Sequence, residues 1–252
     1  MIPKAPFDLI MVLAAAPFVG SFLSVLVTRL PRHADVVFRR SHCPQCEHAL
    51  AARDLVPVAS YVLNSGACRY CDARISPLYP AVEVAAVLVA VWAATVTSGW
   101  LLWLTCGLGW CLLALSAMDA REMVLSDYLT LPLIAAGLAV AALVHPAQLW
   151  EHVAGAAAGL LVIAAASLMY RRLRGVDGLG LGDAKLLAAA GAWLSWDALG
   201  SVLFIGALAT LAYASASRYL GRSVESKTAL PFGPGLALGF WLSWLYGPLV
   251  LT

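Results

Sequence analysis

Apolar runs close to the length of a bilayer crossing recur along most of this chain, and that recurrence leaves few folds open to it. Helices satisfy their own backbone polar groups in lipid, so the chain is expected to be an all-α, polytopic membrane protein. About eight segments are expected, roughly Leu9–Leu30, Pro80–Ser98, Trp100–Met118, Tyr128–Val144, His152–Tyr170, Lys185–Trp196, Leu199–Ala216 and Leu230–Leu251. At 62% hydrophobic and 12% charged residues, this is not a soluble composition. The run after Lys185 is short and rich in Ala and Gly, which suits close helix packing better than lipid exposure. The first run is too long for a signal-peptide core and is followed by no polar mature domain, so it is expected to be a retained helix ending at Pro31. Three parts follow from this reading: a first helix (1–30), a polar insert (31–79) and a helical domain (80–252).

Charge placement orients the bundle. With the 31–79 insert inside, every Lys and Arg except Lys4 falls on the predicted inner side. The inner loops are then 119–127, 171–184 and 217–229, and the N-terminus is outside. This puts Asp119 at the inner end of the third segment and Asp183 at the inner start of the sixth. Carboxylates at the mouth of a membrane segment are costly and are functional candidates by default. Two of them on different helices at one depth can share a proton, one acting as base on a water and the other as acid. Spacing alone does not separate them from Asp127, which also suits a helix N-cap, or from Asp177, a candidate turn residue.

The stretch Gly178-Leu179-Gly180-Leu181-Gly182-Asp183-Ala184-Lys185 runs straight into an apolar helix. Its glycines leave room for another backbone, so Gly178, Gly180, Gly182 and Lys185 are expected to line a substrate approach.

The insert carries Cys43-Pro44-Gln45-Cys46 and Cys68-Arg69-Tyr70-Cys71, with 21 residues between the pairs. That is the pattern of two zinc knuckles, and four thiolates around Zn²⁺ make a closed, structural site. Disulfides are disfavoured in a loop placed in the reducing cytoplasm. His42 and His48 are not needed as ligands, and Cys106 and Cys111, within an apolar run, are read as packing residues. Val56, Val58, Tyr61, Val62 and Leu63 are expected to form a miniature core that the metal staples.

Several stretches, taken together and in order, resemble the type IV prepilin peptidase family of bifunctional leader peptidase/N-methyltransferases. They are Gly20-Ser21-Phe22-Leu23 with Arg29-Leu30-Pro31, the two cysteine pairs, Tyr79-Pro80-x-x-Glu83, and Asp119 before Leu131-Pro132. Gly178 to Leu187 and Pro231-Phe232-Gly233-Pro234 complete the set. The resemblance implies a membrane aspartic protease of the G-x-G-D type with Asp119 and Asp183 as the catalytic pair. Its implied substrate is a prepilin or pseudopilin of a type IV pilus or type II secretion system, cleaved at the cytoplasmic face of a bacterial inner membrane. It also implies methylation of the new N-terminus from S-adenosylmethionine. The residues themselves show no Rossmann-type fingerprint, and only Glu83 suggests itself near the amine. Ser24, Ser126 and Asp177 depart from the residues the family usually carries there.

Two other classes remain open on the residues alone. A transporter relaying protons or ions through the same carboxylates would place them near the bilayer midplane and show a repeat, and no repeat is evident. A zinc-stapled adaptor would leave the glycine-aspartate motif without a role. No nucleic-acid partner is expected; the partners are the bilayer and a peptide substrate.

Overall fold

The structure, a computed structural model, describes residues 6–32, 34–36, 40–175, 180–220 and 230–249. The described residues are helical, with isolated bridges in place of strands. In chain order the helices are α1 (Pro6–Arg29), the short α2 (Ala59–Leu63), α3 (Leu78–Val96), α4 (Trp100–Glu122), α5 (Asp127–Val144), α6 (Leu149–Arg174), α7 (Leu181–Leu194), α8 (Leu199–Tyr219) and α9 (Gly233–Tyr246). Each of the eight expected segments is a helix, but among the described residues six are long and apolar enough to cross a membrane. The exceptions are α7 and α9, of 14 residues each. At 1.5 Å per residue they reach about 21 Å, short of the roughly 30 Å hydrocarbon core. The run expected to continue to Leu251 stops as a helix at Tyr246, where Gly247 turns the chain with φ +83°.

The chain divides into two compact units, Met1–Ala114 and Leu115–Thr252, the boundary falling within α4. In the first, α1 packs along α3. Gly20 makes this possible, because a Cβ there would lie 2.6 Å from the Glu83 Cα. α1 stops at Arg29 and a 3-10 turn over Leu30–Arg32 takes the chain off the helix axis, as Pro31 requires.

Among the described residues, the insert between α1 and α3 has no apolar core of its own. Val56, Val62 and Leu63 are exposed, Leu63 by 80%, and Val58 and Tyr61 are only half-buried. The expected miniature core is therefore corrected: among the described residues from 34 to 79, the buried ones are Cys43 and Cys68. So small a module cannot be held by burial and has to be held by its sulfurs.

In the second unit α7 sits at the centre, packed against α5, α6, α8 and α9. Its alanines let the neighbours close in, and ten of its residues, Asp183 among them, are buried. The tightest crossing is between Gly191 and Gly155 of α6, where a Cβ on Gly191 would come within 2.2 Å of the Gly155 carbonyl carbon. At the far end Trp193 donates its indole N–H to the Leu133 carbonyl of α5 at 2.8 Å, which fixes α7 along its axis.

Candidate functional site

Asp119 lies in the last turn of α4 and Asp183 in the first turn of α7. Both are buried, 6% and 8% exposed, and each is near enough for the charge of one to bear on the other. Asp119 is oriented by α9. The Gly233 N–H at the start of that helix has no carbonyl of its own helix to bond, and it donates to Asp119 Oδ2 at 2.8 Å. Pro231 and Pro234 flank this N–H, and Pro234 in the first turn removes no helical hydrogen bond. Asp183 is placed by its own helix start, its N–H reaching the Gly180 carbonyl at 3.2 Å. Its Oδ1 is buried without a hydrogen-bond partner among the described residues. A buried carboxylate oxygen in that state is costly.

The rival carboxylates fall out differently. Asp127 is exposed and ion-paired with Lys185, so both of those residues are engaged with each other. Ser126 rather than Asp127 takes the N-cap position of α5, and its side chain makes no cap hydrogen bond. Asp177 and Gly178 lie outside the described residues. Gly180 is exposed beside Asp183, with room for a Cβ 3.7 Å from Oδ2. Gly182 is packed instead: a Cβ there would meet the Leu125 Cβ at 2.8 Å. The partner that sequence reasoning missed is Gly233. The only sequence signal for it was the Pro-Phe-Gly-Pro stretch, whose place in a motif gave it no role.

The first unit holds the second cluster. The Sγ atoms of Cys43, Cys46, Cys68 and Cys71 all lie within 4.8 Å of one another, and Cys43 and Cys71 are 3.8 Å apart. Tetrahedral ligands at a Zn–S distance of about 2.3 Å would be separated by roughly 3.8 Å. The two cysteine loops repeat one geometry. In each, the first Cys N–H bonds the carbonyl five residues on (His48, Ala73) and its own carbonyl accepts an N–H from four residues on (Glu47, Asp72), both at φ +55°. Backbone N–H groups of Cys46 and Gln45 hold the Cys43 thiol down to about 6 against the opposing effect of burial. The Ala73 N–H favours a Cys71 thiolate as well, but burial and the neighbouring sulfurs push it up to about 12. Four sulfurs this close can all ionise only around a cation, so the donor set fits a thiophilic metal. His48 is turned away from that role, stacked on Tyr70 with ring centroids 3.7 Å apart.

A multi-pass helical protein with a buried aspartate pair in one unit and a four-sulfur cluster in the other can be set against known proteins. Residues 14–97 match the bacterial peptidase A24 N-terminal domain, and residues 106–215 match the type IV leader peptidase family. A prepilin leader peptidase/N-methyltransferase of Aeromonas salmonicida is 37% identical over 91% of this chain and 87% of its own length. Proteins of the same description from Burkholderia pseudomallei and Pseudomonas aeruginosa are 40% and 34% identical, over 88% and 91% of this chain and 80% and 87% of theirs. No solved structure matches. The chain belongs to the type IV leader peptidase family.

Proposed function

We propose that this protein is a membrane aspartic endopeptidase that removes the basic leader of type IV prepilins or pseudopilins and then N-methylates the new N-terminus. The observation that carries the reading is the buried pair Asp119 and Asp183, one oriented by the Gly233 N–H and the other with an unpartnered oxygen. Asp119 takes the base role: it accepts a proton from the water whose oxygen attacks the scissile carbonyl carbon. Asp183 takes the acid role and gives its proton to the leaving amide nitrogen as the carbon–nitrogen bond breaks. Gly180, exposed beside Asp183, leaves room for the substrate backbone. The site lies at the cytoplasmic face of the bacterial inner membrane, with the N-terminus outside, because nearly all Lys and Arg residues fall in the loops on that side.

Cys43, Cys46, Cys68 and Cys71 would hold a structural zinc ion, which would supply no chemistry to the cleavage. S-adenosylmethionine, when bound, would supply the methyl group for the new amine. The test is cleavage of a prepilin by Asp119→Asn and Asp183→Asn protein, with the leader read by mass spectrometry. Both variants should insert normally and cleave less than a thousandth as fast as the parent, on the order of magnitude reported for loss of an essential catalytic group. Wild-type cleavage by either variant overturns the assignment.

A further inference from the structure

Asp127 and Lys185 take no part in the proton transfers proposed above, yet each lies close in the chain to one of the two aspartates. Lys185 follows Asp183 by two residues at the start of α7, and Asp127 follows Asp119 by eight and opens α5. At 3.6 residues per turn, positions two apart on a helix point about 200° away from each other. Lys185 therefore leaves α7 on the side away from Asp183, and its ammonium pairs there with the Asp127 carboxylate. The pair is open to solvent, the two side chains being 29% and 55% exposed, and a pair so exposed contributes little to stability.

What it joins are the starts of α5 and α7. A second contact joins them alongside: Leu125 packs on the backbone at Gly182, where a Cβ would lie 2.8 Å from the Leu125 Cβ. Leu125 belongs to the four residues from Met123 to Ser126 that connect α4 to α5. That connection is tight. The Met123 N–H bonds the Asp119 carbonyl at 3.0 Å, Met123 itself sits at φ +52°, and the Ser126 carbonyl accepts the Thr130 N–H at 3.0 Å. A link this short and this bonded has little slack, so the end of α4 that carries Asp119 follows wherever the start of α5 is held.

We propose that the Asp127–Lys185 ion pair and the Leu125–Gly182 contact form a clamp that ties the start of α7 to the connection leaving α4, and so holds Asp183 at its working distance from Asp119. Lys185 and Asp127 are positioning residues: they act through the aspartates and touch neither the attacking water nor the scissile bond. The inference rests on the assignment of Asp119 and Asp183 as the catalytic pair. A general acid and a general base serving one carbonyl carbon tolerate little displacement, and a misplacement of about 1 Å can cost about a hundredfold in rate.

The experiment is initial-rate prepilin cleavage by full-length protein in lipid nanodiscs, in a double-mutant cycle of Lys185→Met, Asp127→Ala and the two combined, with thermal unfolding of each. Each single variant should lose roughly tenfold or more in kcat, with KM within about twofold of the parent's and an unfolding midpoint nearly unmoved. The combined variant should be no slower than the singles, because the second change removes a partner already lost. Lys185→Arg, which keeps the charge and the reach, should retain most of the parent rate. Leu125→Ala, which loosens the second contact without altering charge, should lower kcat as well. Parent kcat in both single variants, losses that multiply in the combined one, or a rise in KM at unchanged kcat overturns the clamp. So does a loss of activity that follows loss of folded protein. Asp119→Asn and Asp183→Asn run alongside: if they are inactive, the catalytic pair stands whatever becomes of the clamp, and if they cleave at the parent rate, pair and clamp fall together.

Discussion

Replacing Gly233 with alanine tests whether the start of α9 orients Asp119. A Cβ at this position would lie 2.7 Å from Asp119 Oδ2, 2.9 Å from its Cγ and 3.1 Å from its Cβ. Contacts that short cannot stand, so either the carboxylate swings away or the first turn of α9 moves back. Either way the 2.8 Å bond from the Gly233 N–H is lost or stretched. A hydrogen bond to a charged group contributes about 1.5–3 kcal/mol. At 1.36 kcal/mol per decade of rate, Gly233→Ala should lower kcat for prepilin cleavage by roughly ten- to 150-fold. The comparison is Gly200→Ala in α8, where nothing lies within 4 Å of the added methyl and helix propensity favours alanine. That variant should cleave at the parent rate with an unfolding midpoint equal or slightly higher. The assay is initial-rate cleavage across substrate concentrations, with thermal unfolding of both variants in the same detergent. Parent kcat in Gly233→Ala would refute the orienting role.

Two further outcomes concern the first unit. The protein should carry one zinc ion per chain by elemental analysis, and Cys46→Ser or chelation should lower that content and make residues 40–75 sensitive to limited proteolysis, because burial alone does not hold the insert. Burial works against ionisation of Asp54, yet the Tyr70 hydroxyl, the Ala51 N–H and the Arg69 and Arg53 charges hold its carboxyl below the usual carboxylate range. A depressed folded-state value stabilises the fold above the unfolded-state value and loses that contribution as pH falls through the folded one, so Asp54→Asn should flatten the acid limb of the stability profile below about pH 4 and change its shape little near neutrality.

How much of this could be read in the chain depends on the range of the interaction. Helices were legible because apolar periodicity is local, and so were the cysteine knuckles, whose spacing is itself the geometry. The residues alone left Asp119 and Asp183 level with Asp127 and Asp177, and only the family resemblance singled out the pair. The Gly233 contact was not legible: a backbone N–H carries no residue signature, and its partner lies 114 positions away. The insert misled for a related reason. Val56, Val62 and Leu63 look like core residues in any composition, but a module this short, tied at both ends to long helices, has no interior to put them in. Gly182 is a third case, since a glycine admitting a substrate and one admitting Leu125 read alike.

The two helices that fall short of a bilayer, α7 and α9, supply Asp183 and the N–H that orients Asp119. A spanning helix would begin near the headgroups, and a carboxylate in its first turn would be solvated there. α7 has 14 residues and neighbours on every side, so its first turn starts inside protein, and Asp183 is 8% exposed. α9 has the same length, and its first N–H therefore meets Asp119 rather than water. Shortness thus converts two helix starts, ordinarily places where polar groups find solvent, into the walls of a buried polar site. The cost is visible in the unpartnered Asp183 Oδ1, where the rule that buried polar atoms find partners is broken, as it also is at Ser243 Oγ in α9. Such breaks concentrate where a chain does chemistry. Lengthening α7 by a turn ahead of Gly180 would be expected to restore solvent to Asp183 and remove activity without unfolding the unit.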